Sequence, residues 1–180
     1  SDILAADFNY QPYKVVKDSK GYIYVCSVGD SNGILMLSSN GDFRNYFGTN
    51  TVSLTLWESI ARLLWSREAR YGTVVTLPYT FNNIFISEDE YIYATTTGTA
   101  NSQLRKINSA GNDVLYAGHN FSDQGIVANS TTLQTFVDVS VDADNNMFIM
   151  DSMYGRIYEY DADGRFLFAF GTNGVGEGQF

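Results

Sequence analysis

Three stretches of this 180-residue chain share one spacing: an apolar residue, a glycine seven places on, and a second glycine seven beyond that. They are Ile34, Gly41 and Gly48; Leu104, Gly111 and Gly118; and Ile157, Gly164 and Gly171. Such recurrence marks a repeat architecture, in which one small unit is copied and stacked. The match extends upstream of each anchor. The first copy reads PYKVVKDSKGYIYVCS then GILMLSSNGDFRNYFG, and the second FNNIFISEDEYIYATT then QLRKINSAGNDVLYAG. The third reads FVDVSVDADNNMFIMDS then RIYEYDADGRFLFAFG.

Each copy holds four short runs that alternate with period two, the mark of half-buried strands. In RIYEYD, Ile157, Tyr158 and Tyr160 surround the polar Arg156 and Glu159. The turns DSKG, SSNG, SAGN, ADNN and DADG supply residues that tolerate positive φ at hairpin corners. With 13 Tyr, 12 Phe, 16 Gly and only 2 Pro, the chain reads as all-β. Four antiparallel strands with an apolar second strand (YIYV, YIYA, MFIM) describe one blade of a β-propeller. The expected blades span about 12–48, 81–118 and 136–171 of a single propeller segment. Insertions at 49–80 and 119–135 stretch the spacing to 70 residues (Gly41 to Gly111) and 53 (Gly111 to Gly164), against roughly 40–45 for an ordinary blade.

On these residues the chain resembles the NHL-repeat propellers. Their blades have a proline-led first strand ending in Val-Asp, an Ile-Tyr-Val-Ala-Asp strand, Asn-Arg-Ile, then Gly and Phe-Gly. The third copy is nearest: Val141 and Asp142 match the first-strand ending, Asp151 the second-strand aspartate, Arg156 and Ile157 the Arg-Ile pair. The tail GTNGVGEGQF is similar to the family's linker into a following blade. Copy one departs from the pattern with Ser27 at the aspartate position and Gly33 in place of the arginine. Copy two has Ser87 for the first-strand aspartate and Glu90 where a turn glycine is usual.

Residues 55–70, TLWESIARLLWSREAR, predict an inserted helix. Thr55 and Glu58 form a capping-box pair, and Trp57, Ile60, Ala61 and Leu64 lie on one face. Two readings stand: a helix lying across its own blades, or a docking helix for a partner or a membrane surface, with Arg62, Arg67 and Arg70 at its edge. The insertion also resembles bacterial NHL-repeat proteins found near sugar-import transporters, some of which continue into a membrane domain. Three copies do not close a ring, since a propeller needs at least four blades. The edges at either end are therefore expected to be covered by a longer native chain or by a second copy, as three blades plus three.

The net charge of −9 and pI near 4.4 repel phosphate backbones, so nucleic acid is not an expected partner. One cysteine, Cys26, allows no internal disulfide and is expected as a small buried thiol. No GxSxG elbow is present, and one Cys with one His makes a poor zinc set. Ligand-binding candidates are Trp57, Trp65, Tyr79 and His119, all within or beside the insertions. Asp142 and Asp144 have the alternating oxygens that open a calcium loop, but lack its Gly and Glu, and they fall where a blade requires a turn. The expected function is a non-catalytic binding or scaffolding module for a protein, peptide or carbohydrate at the cell surface. The alternative is a calcium-dependent propeller hydrolase of the lactonase type, implied by resemblance to relatives that hold calcium in the central channel. It would draw on Asp138, Asp142 and Asn82 or Asn83.

Overall fold

A computed structural model describes residues 10–30, 32–48, 80–97, 103–115 and 134–180. Eleven strands are present among them, and no helix. The helix expected over 55–70 lies outside the described residues, as do the insertions around it except Thr80, Gln134 and Thr135. Among the described residues, no helix is long and apolar enough to cross a membrane.

The strands form three antiparallel meanders, one on each repeat. The first sheet runs β1 (Pro12–Lys17), β2 (Ile23–Ser27), β3 (Ile34–Leu37) and β4 (Phe43–Phe47). The second runs β5 (Thr80–Ile86), β6 (Ile92–Thr97) and β7 (Leu104–Ile107). An Ile107–Asp113 bridge then takes the place where β4 starts in the first sheet. The third runs β8 (Phe136–Val141), β9 (Met147–Asp151), β10 (Arg156–Tyr160) and β11 (Phe166–Phe170).

Registers are the same in every sheet. Pro12, Phe81 and Phe136 oppose Ser27, Thr96 and Asp151, and one extra residue (Tyr13, Asn82, Val137) bulges from each first strand directly after. These registers superimpose the blades position by position and define two faces. Val25, Ala94 and Ile149 lie on one face; Tyr24, Tyr93 and Phe148 lie on the other, because successive strand residues point oppositely. First and second strands of neighbouring sheets make the main inter-sheet contacts, β1 and β2 against β5, and β5 and β6 against β8. The sheets therefore stack face to face with their first strands innermost, the arrangement of a β-propeller.

Packing between blades forms the core. Tyr24, Cys26, Ile34 and Phe47 of blade 1 close on Phe81, Ile84, Ile92, Ala94 and Ile107 of blade 2. Tyr93 and Leu104 of blade 2 close on Phe136, Val139, Met147, Ile149, Tyr158 and Tyr160 of blade 3. Each fully buried side chain of this size contributes roughly 1.5–3 kcal/mol, against about 1 kcal/mol for an inter-blade hydrogen bond. Apolar burial therefore dominates the association of the blades.

The six hairpins are one device repeated. In each, a three-residue loop ends in a left-handed residue: Gly21, Gly41, Glu90, Gly111, Asn145 or Gly164, with φ between 65° and 92°. The residue before each loop (Asp18, Ser38, Ser87, Asn108, Asp142, Asp161) accepts through its side chain the N–H four residues on. The departure at Glu90 thus leaves the turn intact. Glu90 and Asn145 accept a strained φ, and both reach a neighbouring blade as no glycine can. Glu90 Oε1 accepts the Ser19 N–H at 3.1 Å, and Asn145 Nδ2 donates to Asp89 at 2.8 Å.

Gly48 has a different reason to be glycine. At φ +63°, an added Cβ would stand 2.8 Å from Ile107 Cδ1 and 3.4 Å from the Phe81 ring, inside the blade 1–blade 2 contact. Gly41 is equally left-handed but faces open space. Gly41→Ala should cost about 1 kcal/mol, from backbone strain alone, and Gly48→Ala about 2 kcal/mol or more, measured by urea unfolding. Equal costs would contradict the packing. Burial, and then the charge of Asp30, push the Cys26 thiol up to about 12, with Lys14 opposing. Cys26 should resist alkylation in the native protein at pH 8 and react fully in denaturant. Fast native labelling would place it outside the core.

Candidate functional site

The meander order gives the two ends of the propeller different chemistry. The six uniform hairpins all lie at one end. At the opposite end, among the described residues, first and third strands begin, second strands stop, and β4 and β11 stop. The chain leaves that end at Gly48 and returns at Thr80, and it returns again at Gln134 to begin blade 3. The span from Gly48 to Thr80 leaves from and returns to this end, and connecting segments are where recognition on repeat folds concentrates. We call it the open end.

The innermost strands begin at the open end, and their bulges re-aim side chains there. Tyr13 Oη donates to the carbonyl of Phe81 at 2.6 Å, and Asn82 Nδ2 donates to the carbonyl of Phe136 at 2.9 Å. These bonds are equivalent, each tying a bulge residue to the first inner residue of the next blade. Asn82 also accepts the Thr95 hydroxyl through Oδ1. At the next position, Asn83 and Asp138 each use Oδ1 to accept the N–H of the residue that follows, Ile84 or Val139, at 2.8 Å. Asn83 Nδ2 then donates to the Val137 carbonyl at 3.1 Å and to Asp138 Oδ1 at 2.7 Å. Tyr13 and Asp138 are exposed, while Asn82 and Asn83 are half-buried. The result is a hydrogen-bonding floor of one phenol, two carboxamides and one carboxylate across three blades.

Buried polar side chains hold this floor in place. Asp151 is fully buried; Oδ1 accepts the N–H of Thr135 and Met153, and Oδ2 accepts the Tyr158 hydroxyl. Ser27 does part of the same work in blade 1, accepting the Gln11 N–H through Oγ at 3.0 Å. Asp151 and its equivalent Ser27 therefore share one role, fixing the entry of an inner strand. Gln103 clamps blade 3 from blade 2, donating to the Gln134 carbonyl and accepting the Phe136 N–H. Near Asp30 in blade 1, burial and then that carboxylate raise Tyr10 to about 12 and push Tyr46 up in the same sense.

Of the residues singled out in the sequence, Trp57, Trp65, Tyr79 and His119 lie outside the described residues. Asp142 and Asp144 lie at the opposite end, in the β8–β9 hairpin. Asp142 Oδ1 accepts the N–H of Asp144 and of Asn146, and Oδ2 accepts Asn146 Nδ2. Slight burial opposes, but these donors hold the Asp142 carboxyl below its ordinary value. Its contribution to stability is complete above the ordinary carboxylate range and is lost as pH falls through the depressed value. Asp138, Asn82 and Asn83 do converge, and Asp142 is not among them. Among the described residues, no three His, Cys, Asp or Glu side chains form a group that could hold a metal. The bulges were missed because a bulge adds a residue without breaking an apolar pattern. The one available signal was Asn-Asn inside an otherwise apolar strand.

No protein-family model matches the sequence, and no curated protein matches it. Solved structures do. Selenomethionine virginiamycin B lyase from Staphylococcus aureus matches at TM-score 0.52 and 12% identity, over 89% of this chain and 41% of that one. A catalytically inactive variant of that lyase with quinupristin matches at 0.53 and 11%, over 97% and 45%. A protein of unknown function from Bacteroides caccae matches at 0.50 and 12%, over 94% and 48%. The chain thus spans less than half the length of each. At these identities the likeness is one of fold, and with the three stacked blades it establishes an all-β chain of β-propeller architecture.

Proposed function

We propose that this chain is a non-catalytic, NHL-type propeller module that binds a protein, peptide or carbohydrate ligand at the open end, on the cell surface. The observation that carries the reading is the asymmetry of the two ends. One end is closed by six short turns of a single design, while at the other the chain leaves blade 1 at Gly48 and enters blades 2 and 3 at Thr80 and Gln134, beside the floor of Tyr13, Asn82, Asn83 and Asp138. Carboxamides, a phenol and one carboxylate suit an uncharged, hydroxyl- or amide-rich ligand. Among the described residues these groups contain no nucleophile paired with a base. The cell-surface placement follows the resemblance to bacterial NHL-repeat proteins.

The contact between Asn83 and Asp138 favours a second reading, a calcium-dependent hydrolase of the lactonase type. The groups as placed suit a cation poorly. Asn83 turns its N–H donor toward Asp138, and both Oδ1 atoms are engaged by backbone N–H groups.

Binding of an oligosaccharide and peptide panel, followed by NMR chemical shifts, tests the first reading. Asn83→Ala or Asp138→Ala should weaken the ligand found by about 1–2 kcal/mol, leaving unfolding within about 1 kcal/mol of wild type. Shifts confined to the hairpin end would contradict it. Thermal melts with added calcium should be unchanged and simple lactones should not be hydrolysed. A calcium-dependent rise in Tm together with lactone turnover would replace the first reading by the second.

A further inference from the structure

The bulge residues that open the three innermost strands, Tyr13, Asn82 and Val137, hold one equivalent position in successive blades but offer different surfaces. Asn82 and Val137 are half-buried, whereas Tyr13 is 45% exposed. Its side chain reaches toward blade 2, where Oη donates to the Phe81 carbonyl, so it stands at the junction of blades 1 and 2 and not on the outer face of blade 1. That bond spends the one hydrogen of the phenol and anchors the far end of a side chain whose near end the bulge fixes. What Tyr13 presents at the open end is therefore its ring, held as a rigid plate. The hairpin end has no counterpart. Among the described residues, none of the six hairpin loops carries an exposed large apolar side chain, while Val28 and Met153 join Tyr13 at the open end in the turns after β2 and β9.

A polar group adjoins this plate. The carbonyl that accepts the Tyr13 hydroxyl belongs to the peptide bond leading from Phe81 into Asn82, so the ring tip and the Asn82 carboxamide are neighbours on the inner rim. Asn82 commits one N–H to the Phe136 carbonyl and one lone pair of Oδ1 to the Thr95 hydroxyl. One N–H and one Oδ1 lone pair of the same planar group are left over, a donor and an acceptor whose orientation two bonds already fix. A pyranose has the matching double character, with C–H bonds on its faces and hydroxyls at its edge that donate and accept. A peptide backbone would meet the carboxamide equally well, but it has no flat C–H face to lay on the ring.

We infer that Tyr13 and Asn82 form a carbohydrate subsite, a pyranose stacking on the Tyr13 ring with neighbouring hydroxyls bonded to the Asn82 carboxamide. The inference rests on the open-end binding reading and narrows its ligand to a neutral saccharide.

The test titrates soluble gluco-, manno-, galacto- and xylo-oligosaccharides into the full chain by calorimetry, with a mixed-sequence peptide library as the contrast, and follows bound sugars by NMR. At least one oligosaccharide should bind, its ring C–H protons shifting upfield under the Tyr13 ring current and showing Overhauser contacts to the Tyr13 ring protons. Tyr13→Leu, apolar but not aromatic, should weaken that binding by about tenfold or more, while Tyr13→Phe keeps the ring and should stay within about fivefold of wild type. Circular dichroism checks that both variants fold; should Tyr13→Leu fail to, the ring-current shifts and Overhauser contacts in the wild type decide. A peptide bound at the open end with no oligosaccharide bound would overturn the inference and leave the broader binding reading standing. Unchanged affinity in Tyr13→Leu would also overturn it, as would an oligosaccharide set of which no member binds. Sugar contacts confined to the hairpin end would remove both the inference and the reading beneath it.

Discussion

Apolar contact between the broad faces of neighbouring sheets is the interaction on which the rest of this structure depends. A four-stranded meander buries one face at most by itself, and these meanders are apolar on both. Ile84 and Ile92 look back to blade 1, while Tyr93 and Leu104 look forward to blade 3. Stacking satisfies both faces at once, and the inward approach of the first strands fans the sheets around an axis. Everything polar is then placed by exclusion. Apart from residues inside second and third strands such as Thr95 and Glu159, it sits at a strand end, in a hairpin, or on an inner strand where a bulge lifts it out of the contact.

The same constraint separates conserved geometry from variable geometry. Six hairpins repeat one hydrogen-bond pattern because any longer loop there would serve no packing purpose. Where a non-glycine residue takes the left-handed position, at Glu90 and Asn145, its side chain bridges to an adjacent blade and offsets part of the backbone strain. The glycines that define the repeat thus divide into two kinds. Gly41, Gly111 and Gly164 turn a hairpin, whereas Gly48 leaves room for the neighbouring blade.

Much of this was legible in the sequence, and for clear reasons. Period-two alternation and spaced glycines are local signals, so the strands of RIYEYD and YIYV fall where alternation places them. Cys26 was readable as a buried thiol because it sits on an apolar second strand. The candidate site was harder. Asp142 and Asp144 look like ligands in a linear reading, yet a hairpin uses Asp142 for its own N–H groups. Asn83 and Asp138 are 55 residues apart, and only the shared bulge and the stacking of two blades bring them within 2.7 Å. Contact across a blade junction leaves no local trace. The open end became distinguishable only when the meander order set all six hairpins at the other end of the stacked blades.

Side-by-side stacking of separate sheets, as opposed to continuation of one sheet from β4 into β5, is most directly read by nuclear Overhauser effects at Gly48. The account predicts strong contacts from the Gly48 Hα protons to the Ile107 Cδ1 methyl and the Phe81 ring, with no backbone cross-strand contacts between Phe43–Phe47 and Thr80–Ile86. Backbone contacts joining those two strands, with the Gly48–Ile107 contact absent, would mean a single continuous sheet and would contradict the propeller.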